Sequence, residues 1–358
     1  MGCAMMNLRD VTALPAGQWD SLVAGSPGGG HILQAHAWGE FKRSQGWQPL
    51  RLLLEDAGRP VGTAQLLSYR TPLAGRRLLF CPKGPWLPWG DPWPLAHFFA
   101  GLGKVADDMG AFLLRMEPEV VEGDLIARAH LRDFNVRRAP WELQYKTSWT
   151  IDLSLAEDEL LKHMKPTHRR NIAKGARNGI TVIEDNGPAT RAGFYELLRE
   201  TALRDGFPLR TRDYLMAAWD AMYAAGQAHL FLARHEGQDL AGIMVYTLGT
   251  KMWYQYGASR TEGRNLMPAP LLQWEVMRWA RGQGITLYDM LAVPSPPHLD
   301  ESHPWWGLYR FKNGFGGQML DTVGTADVAL HRRTARLWGH AEPAYRRWHI
   351  WAHGNDYY

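Results

Sequence analysis

The feature that most limits what this chain can fold into is a repeat. Residues 31–118 and 211–292 present the same succession of helix, hairpin, strand, loop, helix and strand. One helical stretch ends at Gly46 before LRLLLEDAGRPVGTAQLL, and its counterpart ends at Gly226 before HLFLARHEGQDLAGIMVY. In both continuations apolar β-formers flank a short polar turn, holding Gly58 in one and Gly237 in the other, so both read as hairpins. A strand follows in each half, RLLFCPKGPW and KMWYQYGAS, and then a helix of apolar periodicity, LAHFFAGLGKVADDMG and LLQWEVMRWARGQG. Gly110 and Gly284 stand where a left-handed residue ends each helix, and AFLLRMEP and ITLYDMLA resume as strands. The paired glycines Gly46 and Gly226 lie 180 positions apart, and Gly84 and Gly257 lie 173 apart. Five elements in one order predict an internal duplication, and 358 residues suffice for two domains that each bury a core.

A hairpin followed by strand, loop, helix and strand is the core order of the N-acetyltransferase-type fold. The expected class is therefore α/β, with α+β mixing, as two tandem N-acetyltransferase (GNAT)-like domains. In a single-domain acetyltransferase the loop between that strand and helix usually reads Arg or Gln, two residues, Gly, one residue, then Gly or Ala. Its backbone N–H groups and the helix N-terminus hold the pyrophosphate of coenzyme A. Here the loop is Arg260, Thr261, Glu262, Gly263, Arg264, Asn265, without the last small residue. The first copy has KGPWLPWGDPWP, whose four prolines leave few donors for a phosphate. Coenzyme A binding is weakened in both halves, and no cofactor is expected.

The net charge of +4 permits a polyanionic partner without demanding a nucleic-acid-coating protein, so an anion site must be local. Only Cys3 and Cys81 are present, which excludes a disulfide framework and a four-cysteine zinc site and fits a reducing compartment. The chain lacks an apolar run long enough to span a membrane, the start MGCAMMNLRD lacks the apolar core of a secretory leader, and Met6 stands where myristoylation requires Ser or Thr. A cytoplasmic protein is expected. His298, Asp300, Glu301 and His303 lie in a proline-rich loop without metal-ligand spacing, so they read as a flexible polar lid and no metal is expected.

From about His31 to Thr325 the chain resembles the Fem-type (FemABX) aminoacyltransferases, which add amino acids from charged tRNA to the peptidoglycan stem peptide. The stretches that carry the resemblance are LQAHAWGEFKRSQGW, CPKGPW, KPTHRRNIAKGARNGITV, ETALRDGFPLRTRDYL, MWYQYGAS, NLMPAPLLQWEVMRWA, ITLYDMLAV and GLYRFKNGFGG. The resemblance implies two acetyltransferase-type domains, residues 1–148 completed by about 320–358, and residues 149–319. Between Tyr214 and Gly257 there is no room for the long helical hairpin of some members, so no coiled-coil arm is expected. It also implies a transfer of a glycine-, alanine- or serine-type residue from aminoacyl-tRNA to the side-chain amine of a UDP-linked or lipid-linked muramyl pentapeptide, by a monomer. A coenzyme A-dependent N-acyltransferase and a non-catalytic precursor- or RNA-binding protein are the alternatives.

Such chemistry needs no enzyme nucleophile, because the ester donor is already activated. Positioning, and a cation near the developing oxyanion, supply the rate gain. Lys312 in LYRFKNGFGG, beside Phe311, is the first candidate for that cation; in the family this position lines the substrate channel, and the bland reading is a lysine snorkelling from a strand edge. By resemblance Lys42, Arg210 and Tyr214 match positions that hold the nucleotide diphosphate and its sugar, and otherwise they read as surface cations and a half-buried tyrosine. Tyr254 and Tyr256 alternate with Gln255 and so point to one face of a strand, reaching the ligand or filling the core. Asp289 can accept a proton from the attacking amine and Glu117 is its counterpart in the first copy, though either can cap a turn. Lys165, Arg169, Arg170, Lys174 and Arg177 fall on one helix as a tRNA-binding or merely solvated face. The tail from Asp327 to Tyr358 mixes Arg332, Arg333, Arg336, Arg346 and Arg347 with Trp338, Trp348 and Trp351. It suits transient contact with an anionic membrane or a packed terminal helix equally well.

Overall fold

The computed structural model describes residues 6–358. Residues 1–5, which include Gly2, Cys3 and half of the stretch read for a leader, lie outside the described residues. The chain divides into two compact units, Met1–Lys146 with Asp321–Tyr358, and Thr147–Leu320.

The first unit opens with β1 (Met6–Asp10), α1 (Ala16–Ala24), α2 (His36–Ser44), β2 (Gln48–Asp56), β3 (Arg59–Arg70) and β4 (Arg77–Cys81). It continues through α3 (Pro92–Met109), β5 (Ala111–Met116), α4 (Leu125–Asp133) and β6 (Arg137–Arg138). The second unit contains β7 (Thr147–Asp152), α5 (Glu157–His163), α6 (Pro166–Arg177), β8 (Thr181–Glu184), α7 (Pro188–Asp205) and α8 (Arg212–Ala224). The hairpin β9 (Ala228–His235) and β10 (Gln238–Leu248) follows, then β11 (Lys251–Ser259), α9 (Pro268–Gly282), β12 (Leu287–Ala292), α10 (Trp306–Asn313) and β13 (Gln318–Asp321). The chain ends with β14 (Ala326–Ala329) and α11 (Arg332–His353).

Each unit is built on a seven-stranded sheet, in the orders β1-β2-β3-β4-β5-β14-β6 and β8-β9-β10-β11-β12-β7-β13. The two sheets share one pattern: a run of antiparallel neighbours, then the parallel pairs β4/β5 and β11/β12, then an antiparallel strand. That last strand differs in origin. Beside β5 it is β14, near the chain's end; beside β12 it is β7, at the start of its own unit. The hairpin turns match residue for residue, Ala57–Gly58 at φ 49° and 80° and Glu236–Gly237 at φ 48° and 80°. Two successive left-handed residues give the turn twist that follows the strands, and glycine at the second position bears it without strain.

In the second unit α9 lies on the sheet with Leu271, Leu272, Val276 and Met277 buried among Ile243, Val245, Met252 and Tyr288. In the first, α3 covers its sheet in the same way through Leu95, Phe98 and Leu102. The terminal helix α11 joins the opposite side of the first sheet, where Trp338 and the last two residues, Tyr357 and Tyr358, pack with Trp47, Phe80 and Phe112. A charged network sits in that core. The Arg115 guanidinium donates to Asp327 at 2.7 and 2.8 Å, to Glu342 at 2.6 Å and to the Tyr358 hydroxyl at 2.7 Å.

Replacing Arg115 with Met leaves the fully buried Glu342 carboxylate without its cation. Urea unfolding should show a loss of about 3–5 kcal/mol for Arg115→Met, against less than about 0.5 kcal/mol for Arg76→Met at an exposed position. Equal stability of the two variants would contradict the burial of this network.

Candidate active site

The second unit's parallel pair comes apart part-way along. β11 and β12 are in register from Lys251 opposite Leu287 to Trp253 opposite Asp289, and their pairing stops there although β11 runs on to Ser259. Irregularities flank this parting. The register of β10 against β11 shifts between Met244 and Val245, leaving Gln255 as the extra residue, and β12 slips against β7 between Asp289 and Ala292. In the second bulge Leu291 takes φ 62°, and the Asp289 carboxylate accepts the Leu291 N–H at 2.7 Å, closing a local turn.

Lys312 reaches this place from α10 and is 3% exposed. Its ammonium donates to the Ala292 carbonyl at 2.8 Å and lies 5.9 Å from the centre of the Tyr254 ring. Burial pushes the amine down from its ordinary 10.5 to about 7, against the opposing pull of the Asp289 charge. Burial likewise pushes the Tyr254 phenol up to about 12, with the Gln273 amide restraining the shift. Gln273, fully buried on α9, accepts the Tyr288 hydroxyl at 2.9 Å. Lys312, Tyr254 and Asp289 are thus gathered at one end of the parted strands. Gln273 and Tyr288 belong with them although sequence reasoning passed over both. The available signal was an amide in the middle of the apolar run LLQWEVM.

Tyr254 and Tyr256 do not share a face. Tyr254 pairs with Val245 and packs with the α9-side core, whereas Tyr256 pairs with Met244 and meets Trp219 of α8 edge-on at 5.6 Å. The bulge at Gln255 inserts one residue and reverses the alternation on which the expectation rested. Burial raises the Tyr246 phenol, and Tyr256, Tyr223 and Tyr214 add to that rise. Arg210, just before α8, sits over the Tyr214 ring at 4.9 Å, and burial raises the Tyr214 phenol.

The turn after Lys312 is locked from α6. His168 Nε2 lies 3.0 Å from the Phe311 carbonyl, the Lys165 N–H donates to the Gly314 carbonyl at 2.9 Å, and the imidazole meets Phe315 edge-on at 4.8 Å. A side chain at Gly314 would fall 1.9 Å from the His168 ring, which is why glycine stands there. Phe311 packs on this histidine and on the core. Lys165, Arg169, Arg170, Lys174 and Arg177 are all exposed, and Arg169 in addition turns its Nη1 back to the carbonyls of Leu161, Lys162 and Met164, at 3.1, 3.4 and 2.7 Å, and closes the end of α5.

The remaining expected residues belong to the first unit. Lys42 is buried on α2 with its ammonium 5.6 Å from the Trp47 ring. Glu117, at the end of β5, holds the protein's own donors: the N–H groups of Gln144 and Lys83 at 2.8 and 3.2 Å and the Thr325 hydroxyl at 3.1 Å. Burial pushes its carboxyl up and the Lys83 charge draws it back. Those bonds tie three separate segments together, and this is an anchoring role in place of the expected contact with substrate.

The N-termini of the helices that follow β11 and β4 are poor in donors. α9 begins Pro268-Ala269-Pro270 and α3 begins Pro92-Trp93-Pro94, so proline occupies two of the first three positions in each. The Trp93 N–H is already taken by Asp91 at 2.9 Å. A pyrophosphate needs a row of free N–H groups, and neither terminus offers one.

A family model described as the FemAB family matches residues 17–236. The chain belongs to the FemAB family. A second model, an acetyltransferase (GNAT) domain, matches residues 162–313, which hold the parted strands and Lys312. Among similar proteins are the lipid II:glycine glycyltransferases of Staphylococcus epidermidis and Staphylococcus aureus, each 23% identical to this FemAB member. The matches cover 88% of this chain and 91% of the first relative, and 90% and 94% for the second. The solved structure of FemX, 22% identical, superposes with a TM-score of 0.83 over 91% of this chain and 98% of FemX, and shows the same fold.

Burial of Lys312 has a thermodynamic signature. Below pH 7 folded and unfolded chains both hold the proton and the full cost of burying the charge is present; between pH 7 and 10.5 the folded lysine has lost the proton that the unfolded one keeps, so the cost fades as pH rises. Lys312→Met should therefore be more stable than the parent at pH 6, by about 1–4 kcal/mol, with the gain shrinking towards zero by pH 10 in denaturant titrations. A gain independent of pH would show that the ammonium is not desolvated.

Proposed function

We propose that this FemAB member is a peptidoglycan interpeptide-bridge aminoacyltransferase. It moves one glycine-, alanine- or serine-type residue from aminoacyl-tRNA to the side-chain amine of a muramyl pentapeptide precursor. Lipid II, the acceptor named for the staphylococcal relatives, makes the lipid-linked precursor the first choice and the UDP-linked form the second. The observation that carries the reading is the desolvated Lys312 ammonium at the parting of β11 and β12. The proline-broken helix starts favour a donor other than coenzyme A.

In the reaction the neutral amine attacks the ester carbonyl, an amide C–N bond forms, the ester C–O bond breaks, and the attacking nitrogen's proton leaves with the ribose oxygen. Lys312 supports the oxyanion of the tetrahedral intermediate; that negative charge favours the protonated lysine just when it is needed. Asp289 acts as a positioning residue, since its carboxylate holds the bulge from which Ala292 offers its carbonyl to Lys312. Tyr254 walls the same place. Arg210 and Tyr214, stacked on one another in the second unit, take the precursor's diphosphate and sugar. The exposed cations Lys165, Arg169, Arg170, Lys174 and Arg177 meet tRNA phosphates, whose contacts give affinity without base reading. No helix among the described residues is long and apolar enough to cross a membrane. We take the enzyme to act as a monomer in the cytoplasm.

The test is a mass-spectrometric transfer assay with charged tRNAs, acyl-coenzyme A and both precursor forms, with and without ribonuclease. The reading predicts that the acceptor gains an aminoacyl mass only while tRNA is intact; gain from acyl-coenzyme A, or from no donor at all, would overturn it. In the same assay Lys312→Met should lower kcat by about 10²–10³-fold. Activity of the parent should fall as pH rises and Lys312 loses its proton. In Asp289→Asn that alkaline fall should move to lower pH, because the charge that raises the lysine's pKa is gone. An unmoved limb would remove Lys312 from the titration.

A further inference from the structure

The inner face of α11 packs on the first sheet. Trp338 meets Phe112 edge-on, Glu342 receives Arg115, and the Tyr345 and Tyr69 hydroxyls lie 2.7 Å apart. The outer face carries apolar side chains for which the core has no use: Leu337, Trp348, Ile350 and Trp351 are 63%, 50%, 48% and 83% exposed. At 3.6 residues per turn, Arg332, Arg333, Arg336 and Arg347 project on that same side. All four are exposed, and among the described residues none makes an ion pair. The helix has one acidic residue, Glu342, and it is buried on the inner face. Arg332 and Arg336 also share with Arg137 the lining of a cavity of about 600 Å³. The two carboxylates of that cavity, Asp327 and Glu342, are already held by Arg115.

Unpaired arginines interleaved with exposed tryptophan, leucine and isoleucine are ill suited to bulk water. They are well suited to the headgroup level of a bilayer, where indole rings settle at the interface and cations face lipid phosphates. We propose that the outer face of α11 docks the first unit onto an anionic lipid bilayer. Trp348, Trp351, Leu337 and Ile350 enter the headgroup region, and Arg332, Arg333, Arg336 and Arg347 meet the phosphates. The inference stands on this helix alone. A lipid-linked acceptor would give the docking a purpose, but the proposed transfer reaction does not enter its test.

The experiment is flotation of the full chain with vesicles of phosphatidylcholine, with or without one-third phosphatidylglycerol, at low and high salt. The expected result is binding to the anionic vesicles alone, weakened by salt and reduced at least about tenfold both in Trp348→Ser/Trp351→Ser and in Arg332→Gln/Arg336→Gln/Arg347→Gln. Both variants change solvent-exposed residues and should keep the parent's melting temperature; if one does not, the other carries the comparison. Absence of the parent from both vesicle types, or equal binding by parent and variants, would overturn the proposal. So would a parent dimer without lipid that the tryptophan variant abolishes, which would give the face to a second copy. Loss of tRNA binding with vesicle binding unchanged would give it to RNA instead.

Discussion

A charge kept out of water is the constraint from which the second unit's site follows. The Lys312 ammonium is held by the Ala292 carbonyl, with the Tyr254 ring beside it and the Asp289 carboxylate near enough to be felt. For that carbonyl to face the lysine, β12 must leave its ladder, which it does through the bulge that Asp289 closes. For the lysine to approach from α10, the following turn must press on His168, and only glycine at position 314 allows it. Each local irregularity costs stability, and together they hold a cation in a poorly solvated place. There the field of the ammonium is much stronger than in water, which is what the proposed transfer asks of it.

The duplication shows how one architecture was spent in two ways. Both sheets hold one short parallel pair, which parts part-way along β11 in the second unit and stays paired to the ends of β4 and β5 in the first, and both following helices start with a Pro-x-Pro that withholds backbone donors. At the end of β5, however, Glu117 is saturated by the chain's own N–H and O–H groups and joins strand, loop and returning segment. Midway along β12, Asp289 uses a carboxylate oxygen for a turn and lends its charge to a lysine. The first unit thus uses its buried acid for cohesion, and its Arg115 network binds the terminal helix to the sheet.

What was legible in the sequence is what periodicity and punctuation encode. The repeated hairpin, strand, helix and strand could be read because hydrophobic period and turn glycines are local signals, and each survives in both copies. The site was legible only in outline. Lys312 and Asp289 stood out as charges in apolar surroundings, and the structure sets them at one place. The face of Tyr256 was misread because a bulge at Gln255 depends on neighbouring strands and leaves no local mark. Gln273 went unnoticed because its partner Tyr288 comes from another element, and the bonds of Glu117 reach residues as distant as Thr325. Arg169 is as exposed as its neighbours, and its bonds to the end of α5 have no mark in the linear pattern. Polar satisfaction across the fold is a tertiary property, and a linear pattern does not carry it.

The most direct test of this account is the titration of Lys312 itself. The parent protein labelled with ¹³C at lysine ε-carbons, with Lys312→Met assigning the resonance, gives the midpoint by NMR. The account predicts a Lys312 midpoint near pH 7. A Lys312 midpoint at the ordinary 10.5 would mean a hydrated ammonium, and the desolvated cation on which the site is built would not exist.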